Sequence, residues 1–245
     1  MLSISLVNLI PMQDKKKNTE NPPLRKVTSY VLRERRMTLR QKYALETFWK
    51  QFGLEMQSGP IDFVTVFARE APRILEIGFG MGLSLLETAA AHPENDYIGI
   101  EVHRPGVGSL LAGIEEAKLT NIRIFCADAV SVLQQCISDN SLDIIQIFFP
   151  DPWPKTRHHK RRLIQRSFVE LLSNKLKPFG RLHLATDWED YANHMMKVCS
   201  NVDSFNNLAG AFQFSERPAY RPLTKFEARG QRLGHSVWDL IFVKV

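Results

Sequence analysis

Three features of the sequence predict a doubly wound α/β fold with a mostly parallel sheet. Strand-length apolar runs alternate with helical stretches from residue 73 onward, and such alternation places crossover helices on both faces of a parallel sheet. Glycines at every second position, Gly78, Gly80 and Gly82, join the first strand to the first helix. Acidic residues then mark the ends of three consecutive strands: Glu76, Glu101 and Asp128.

Taken in order, the first strand is expected over 73–77 and its helix over 83–91. A short strand over 97–100 is followed by a helix over 105–117, a strand over 123–126 and a helix over 130–136. The run 144–149 reads as a buried central strand, with Gln146 its one polar interruption. A helix over 163–176, a turn at Gly180, a strand over 181–185, a helix over 188–199 and a last strand over 237–243 complete the pattern. Upstream, residues 1–28 are polar, with Lys15-Lys16-Lys17 and Pro22-Pro23, and are expected to be disordered. Residues 29–60 are expected to form a basic helical arm, and 61–245 the α/β domain.

The net charge of +6 over 245 residues favours an acidic partner. Its distribution says more. Arg25, Lys26, Arg33, Arg35, Arg36, Arg40 and Lys42 form one basic block and residues 155–166 a second, either of them a phosphate-binding surface or a solvated one. No stretch is apolar enough to span a membrane, and the opening residues lack the marks of a signal peptide. Three cysteines without metal spacing read as buried thiols of a reducing, cytoplasmic compartment. The histidines form no ligand pattern, so no metal is expected.

The central strand runs into Phe148-Phe149-Pro150-Asp151-Pro152-Trp153-Pro154-Lys155. Proline gives no ladder N–H and therefore ends the strand. Three prolines in five residues hold a rigid turn at the carboxyl end of the sheet, where open α/β sheets bind ligands. A carboxylate and an indole beside Lys155, Arg157, Lys160, Arg161 and Arg162 suit a base within a nucleic acid. Asp151 is a candidate acceptor for that base or a cap of the next helix. Trp153 is a candidate stacking platform or a packing residue. Asp187 either meets the base or caps the helix from residue 188.

The glycine loop favours one ligand over another. The dinucleotide fingerprint spaces its last two glycines by three, whereas here Leu83 takes that slot. A carboxylate at Glu76 opposes pyrophosphate and complements the sulfonium and ammonium of S-adenosylmethionine. Glu101 is placed to accept from both ribose hydroxyls and Asp128 from the adenine amino group. Methyl transfer is therefore preferred to hydride transfer.

These residues resemble a known family, the bacterial tRNA (guanine-N7)-methyltransferases of the TrmB type. The resemblance spans residues 29–243 and rests on Leu75 to Gly82, Gly99-Ile100-Glu101-Val102-His103, Phe148 to Trp153, Lys160-Arg161-Arg162, Ala185-Thr186-Asp187-Trp188 and Arg221-Pro222-Leu223-Thr224-Lys225-Phe226-Glu227. It implies a class I S-adenosylmethionine-dependent, Rossmann-like fold. Glu76, Gly78, Gly80, Gly82, Glu101, Asp128 and Asp151 would bind the cofactor, and Asp151 would be the active-site residue. Lys155, Asp187, Thr224, Lys225, Phe226 and Glu227 would meet the target guanosine, and Arg157, Lys160, Arg161 and Arg162 the RNA backbone. From the residues alone, Lys225 and Glu227 could equally pair with each other. The implied substrate is the guanosine at position 46 of the tRNA variable loop, with the protein a monomer or homodimer. Two other readings stay open: methylation of an exocyclic base amine, which an Asp-Pro-Trp turn also suggests, and a non-catalytic RNA-binding protein.

Overall fold

A computed structural model of the chain describes residues 29–30, 36–223, 227 and 236–245. The expected tail over 1–28 lies outside them, as do Thr224, Lys225 and Phe226. Helix α1 (Leu39–Phe52) leads into β1 (Gly53–Leu54), α2 (Phe63–Phe67) and β2 (Arg73–Ile77). Next come α3 (Leu83–Ala91), β3 (Asp96–Ile100), α4 (Arg104–Glu116), β4 (Ile122–Phe125), α5 (Ala129–Cys136) and β5 (Leu142–Phe148). A 3-10 turn (Thr156–Arg161), α6 (Arg166–Lys175), β6 (Leu176–Thr186), α7 (Glu189–Ser200), β7 (Phe205–Asn207) and β8 (Trp238–Lys244) follow.

The strands form one sheet in the order β1-β4-β3-β2-β5-β6-β8-β7, with β8 antiparallel to both its neighbours. This is the expected doubly wound, mostly parallel sheet. Strand order reverses between β2 and β5, and a crevice opens at their carboxyl ends.

Alternation along the strands assigns the two faces. Leu75, Ile77, Ile98, Ile100, Ile145, Ile147, Leu182 and Leu184 pack with α5, α6 and α7. Ile74, Tyr97, Ile122 and Ile124 pack with α1, α3 and α4 on the other side. On that second face the register sets Glu76 beside Gln146, Gln146 beside His183, and then Phe148 beside Ala185 and Ala185 beside Asp239. One half of this face is apolar and helix-covered, while under β5, β6 and β8 the polar side chains Gln146, His183 and Asp239 are set among apolar ones.

Two local devices shape the ends. Helix α1 begins at Leu39 rather than near residue 29, because Thr38 and Gln41 make a reciprocal capping box. It lies close on α4, where a Cβ at Gly108 would stand 2.5 Å from the Gln41 carbonyl oxygen. The expected Gly180 turn is built as a bulge in β6. Leu142 pairs with Leu176 but Ile144 with Arg181, so residues 177–180 leave the ladder.

Candidate active site

The β2–α3 loop is the floor of the crevice. Gly78 and Gly80 take φ values of +77° and +58°, and open space lies where a Cβ would project from either. Side chains are thus kept away from the face a ligand would occupy. Behind the loop, a Cβ at Gly106 of α4 would stand 2.0 Å from the Gly80 carbonyl oxygen, so α4 supports the turn backbone to backbone.

Glu101 fixes this arrangement. Its Oε2 accepts from the Gly80 N–H (2.9 Å), and its Oε1 accepts from the N–H groups of Val102 (2.7 Å) and His103 (3.0 Å). Three of roughly four acceptor positions on the carboxylate are taken by the protein. The remaining one, on Oε2, suits one ribose hydroxyl rather than two. Asp128 also serves two ends: its Oδ1 caps α5 through Ser131 N–H and Oγ, both at 3.0 Å, which leaves Oδ2 for a ligand donor.

Glu76 is different. It is buried near the end of β2, yet lines the crevice, and no donor among the described residues reaches its carboxylate. Burial, and then the neighbouring Glu101 charge, push it up to about 8. A buried, unpartnered acid facing a cleft is a site for a cationic group. The uncovered glycines, the spare acceptors of Glu101 and Asp128 and this acid fit S-adenosylmethionine.

The crevice has two lobes that share Gly78 and Phe148. One, of about 610 Å³ including open solvent, is bounded by Glu101, Asp128, Asp151 and Tyr30. The other, of about 910 Å³ measured in the same way, is bounded by Glu76, the glycine loop, Phe149 and Arg221. Tyr30 escaped the sequence reading. It lines the first lobe with Asp128, and burial and the Asp128 charge raise the pKa of its phenol.

Asp151 is exposed at the rim of the first lobe, between two bulky residues in left-handed backbone conformation, Phe149 (φ 52°) and Trp153 (φ 47°). Such conformations cost roughly 1–3 kcal/mol each and persist where the surroundings impose them. Neither Asp151 nor Asp187 caps a helix: the 3-10 turn has no side-chain cap, and the Trp188 N–H is bound by Thr186 Oγ1. Both carboxylates lack a hydrogen-bond donor among the described residues.

Trp153 proves to be a clasp. Its indole N–H donates to the Ser29 carbonyl (3.2 Å), and the Arg161 guanidinium lies 3.9 Å from its ring centroid. Lys155, Arg157 and Lys160 are exposed around it.

Arg162 corrects the expectation of an RNA contact. Only 3% exposed, it donates from Nε to the Pro152 carbonyl (2.9 Å), pairs with Asp190 and lies over the Tyr191 ring. A guanidinium so enclosed holds the proline turn to α7 and offers nothing to a phosphate. Glu227 is likewise turned inward, 2% exposed, with both carboxylate oxygens on Arg221 at 2.8 Å. A direct contact with guanosine does not fit that burial; Arg221 is its partner among the described residues, and the expected pairing with Lys225 lies outside them. No sequence signal separated Arg162 from Arg161, whereas Arg221 lay within the recognised motif without a role.

Fold and site together define a class I methyltransferase, with S-adenosylmethionine as its methyl donor. A family described as "Putative methyltransferase" matches residues 70–240. The chain belongs to the tRNA (guanine-N(7)-)-methyltransferase family. It is 58% identical over 221 residues to the protein of that name from Alcanivorax borkumensis, covering 90% of this chain and 92% of the relative. The one from Hydrogenovibrio crunogenus is 53% identical, covering 93% of this chain and 99% of the relative. Among solved structures, the 16S rRNA methyltransferase KamB superposes with a TM-score of 0.56 at 14% identity, covering 79% of this chain and 97% of that one. That likeness concerns the fold.

Proposed function

We propose that this protein transfers a methyl group from S-adenosylmethionine to N7 of a tRNA guanosine, at position 46 of the variable loop. The observation that carries the reading is its identity of more than half, over nine-tenths of the chain, to relatives named for guanine-N7 methylation of tRNA. No helix among the described residues is long and apolar enough to cross a membrane, and a tRNA substrate implies work in the cytoplasm.

Guanine N7 carries an in-plane lone pair and no proton, so no side chain has to act as a base. S-adenosylmethionine supplies a methyl bonded to a sulfonium; N7 takes the carbon and the C–S electron pair returns to sulfur. What the protein contributes is placement and electrostatics. Glu76 meets the ammonium, the spare Oε2 position of Glu101 a ribose hydroxyl, and Asp128 Oδ2 the adenine amino group. Asp151 and Asp187 accept from the guanine edge, and their charge favours a purine that becomes cationic. Lys155, Arg157, Lys160 and Arg161 grip phosphates, which helps to offset the few kcal/mol that exposing the base costs.

Transfer of labelled methyl to unmodified tRNA tests the reading. Asp151→Ala should lose at least about 3 kcal/mol of transition-state stabilisation, roughly a hundredfold in rate. Asp151→Asn separates placement from charge, because it keeps the shape. Undiminished transfer by Asp151→Ala would remove this residue from the site.

A further inference from the structure

The stacking platform that the sequence expects at Trp153 is not free there. Its indole N–H donates to the Ser29 carbonyl, the Arg161 guanidinium lies over its ring, and the His158 ring meets it edge-on at 5.9 Å. Two more of the four tryptophans are engaged as well: Trp49 donates to Glu55, and Trp238 packs on Phe214 with ring centroids 6.5 Å apart. Trp188 differs. It is 42% exposed, and among the described residues its indole has no hydrogen-bond, ring or cation partner.

What is fixed is its backbone. The Trp188 N–H donates to Thr186 Oγ1 (3.2 Å), and its carbonyl accepts from the Ala192 N–H (2.9 Å) at the start of α7. Trp188 thus sits on the link between β6 and α7, directly after Asp187, at the carboxyl end of the sheet. Two residues further on, Asp190 shares the Arg162 guanidinium with the Pro152 carbonyl. His159 of the 3-10 turn also comes within 3.8 Å of Asp190. The first turn of α7 is therefore tied to the basic turn, whose Lys155, Arg157 and Lys160 are exposed.

An exposed aromatic ring by itself is ordinary. Beside cations it completes the pair of features by which proteins hold unpaired nucleotides: the cations take phosphates, and the ring takes the flat face of a base. A base lifted from its stack for methylation leaves a neighbour unstacked, and a ring nearby replaces the lost contact. We propose that Trp188 is a stacking platform for an unpaired tRNA base beside the target guanosine, while Trp153 holds the turn. The proposal rests on the tRNA-methylation reading above and adds to it a residue that binds the substrate away from the reacting atoms.

Binding of an unmodified tRNA transcript, read without S-adenosylmethionine, tests it in the wild type, Trp188→Ala and Trp188→Phe. Alanine should weaken binding about tenfold, within the range that stacking of one base supplies. Phenylalanine keeps a ring and should stay within about threefold of the wild type. The log–log salt slope should be the same in all three, because no phosphate contact is lost. A fully paired RNA duplex should bind all three alike, since its bases are already stacked. Binding of S-adenosylmethionine should stay within about twofold, as Trp188 borders neither lobe of the crevice. The thermal midpoint should not move, because the ring packs on nothing that its loss would expose. Undiminished tRNA binding by Trp188→Ala would overturn the proposal. So would an equal loss in Trp188→Phe, which would make the indole N–H the contact instead of the ring. An equal loss on duplex RNA, or a change of oligomeric state, would overturn it too. A wild type that binds tRNA with the expected pattern but transfers no methyl would leave the platform standing and count against the reading of the reaction.

Discussion

Phe149 donates its main-chain N–H to the carbonyl of Ala185 at 2.8 Å. This rung ties the end of β5 to β6, and Asp151 and Asp187 each lie two residues beyond it. Neighbouring strand ends thus lead to two carboxylates without hydrogen-bond donors among the described residues, Asp151 lining the crevice. Asp187→Asn should leave thermal stability within about 0.5 kcal/mol, because it removes no hydrogen bond among the described residues. If Asp187 meets the guanine edge, kcat/KM for tRNA should drop about tenfold or more, as for loss of a charge-assisted hydrogen bond. Parallel melting and methylation assays check both halves.

The basic turn divides by burial. Arg157→Ala and Lys160→Ala should each weaken tRNA binding and reduce its log–log salt slope by roughly 0.7–0.9, with the melting temperature unchanged. Arg162→Ala should instead cost about 2 kcal/mol of folding stability, through loss of its bonds to the Pro152 carbonyl and Asp190. Salt titrations of binding beside denaturant unfolding distinguish the two groups.

Glu76 predicts a pH dependence of cofactor binding. Held near 8 by burial and by Glu101, it carries a proton at neutral pH, whereas in the unfolded chain it loses that proton near about 4.3. Its contribution to stability therefore falls as pH rises from about 4.3 toward 8, since the folded state binds the extra proton. A bound ammonium lowers its pKa and releases that proton. Between about pH 5.5 and 7.5 the dissociation constant should fall by up to about tenfold per unit, with one proton released per molecule bound. Calorimetry in buffers of different ionisation enthalpy reads the proton directly, and Glu76→Gln should abolish the slope.

The Trp153 clasp makes a separate prediction. Trp153→Phe keeps a ring under Arg161 and deletes the donor to Ser29, which lines the lobe of Glu101 and Asp128 with Tyr30. Losing that one hydrogen bond should weaken S-adenosylmethionine by about fivefold, or about 1 kcal/mol. Tyr30→Ala should do so at least as strongly, and titration of the three proteins orders them.

Much of this was legible in the sequence, and the reasons are specific. Helix α3 has the bounds 83–91 that its pattern gives, because Gly82 starts it and an apolar run sustains it. The acidic residues at strand ends were readable because strand ends in this topology share one edge. The start of α1 was written in Thr38 and Gln41, yet the cationic run before them resembles helix equally well. Other features rest on distant partners. Arg162 turns inward because Asp190 and Tyr191 await it about thirty positions later, a fact invisible among three consecutive cations. Tyr30 reaches the cleft beside a carbonyl held by a tryptophan 124 positions away. Glu227 pairs with Arg221 across a stretch that a motif reading takes as one contact surface.

Methylation at N7 of one variable-loop guanosine is distinguished from every amine methylation by the charge of its product. A base methylated at N7 is permanently cationic, so reduction weakens its glycosidic bond and allows the strand to be cut there. Unmodified tRNA incubated with the wild type and S-adenosylmethionine, then reduced and cleaved, should yield one break at position 46, absent when the cofactor is omitted. Methyl incorporation into a tRNA that resists cleavage would contradict the account and point to an exocyclic amine as the acceptor.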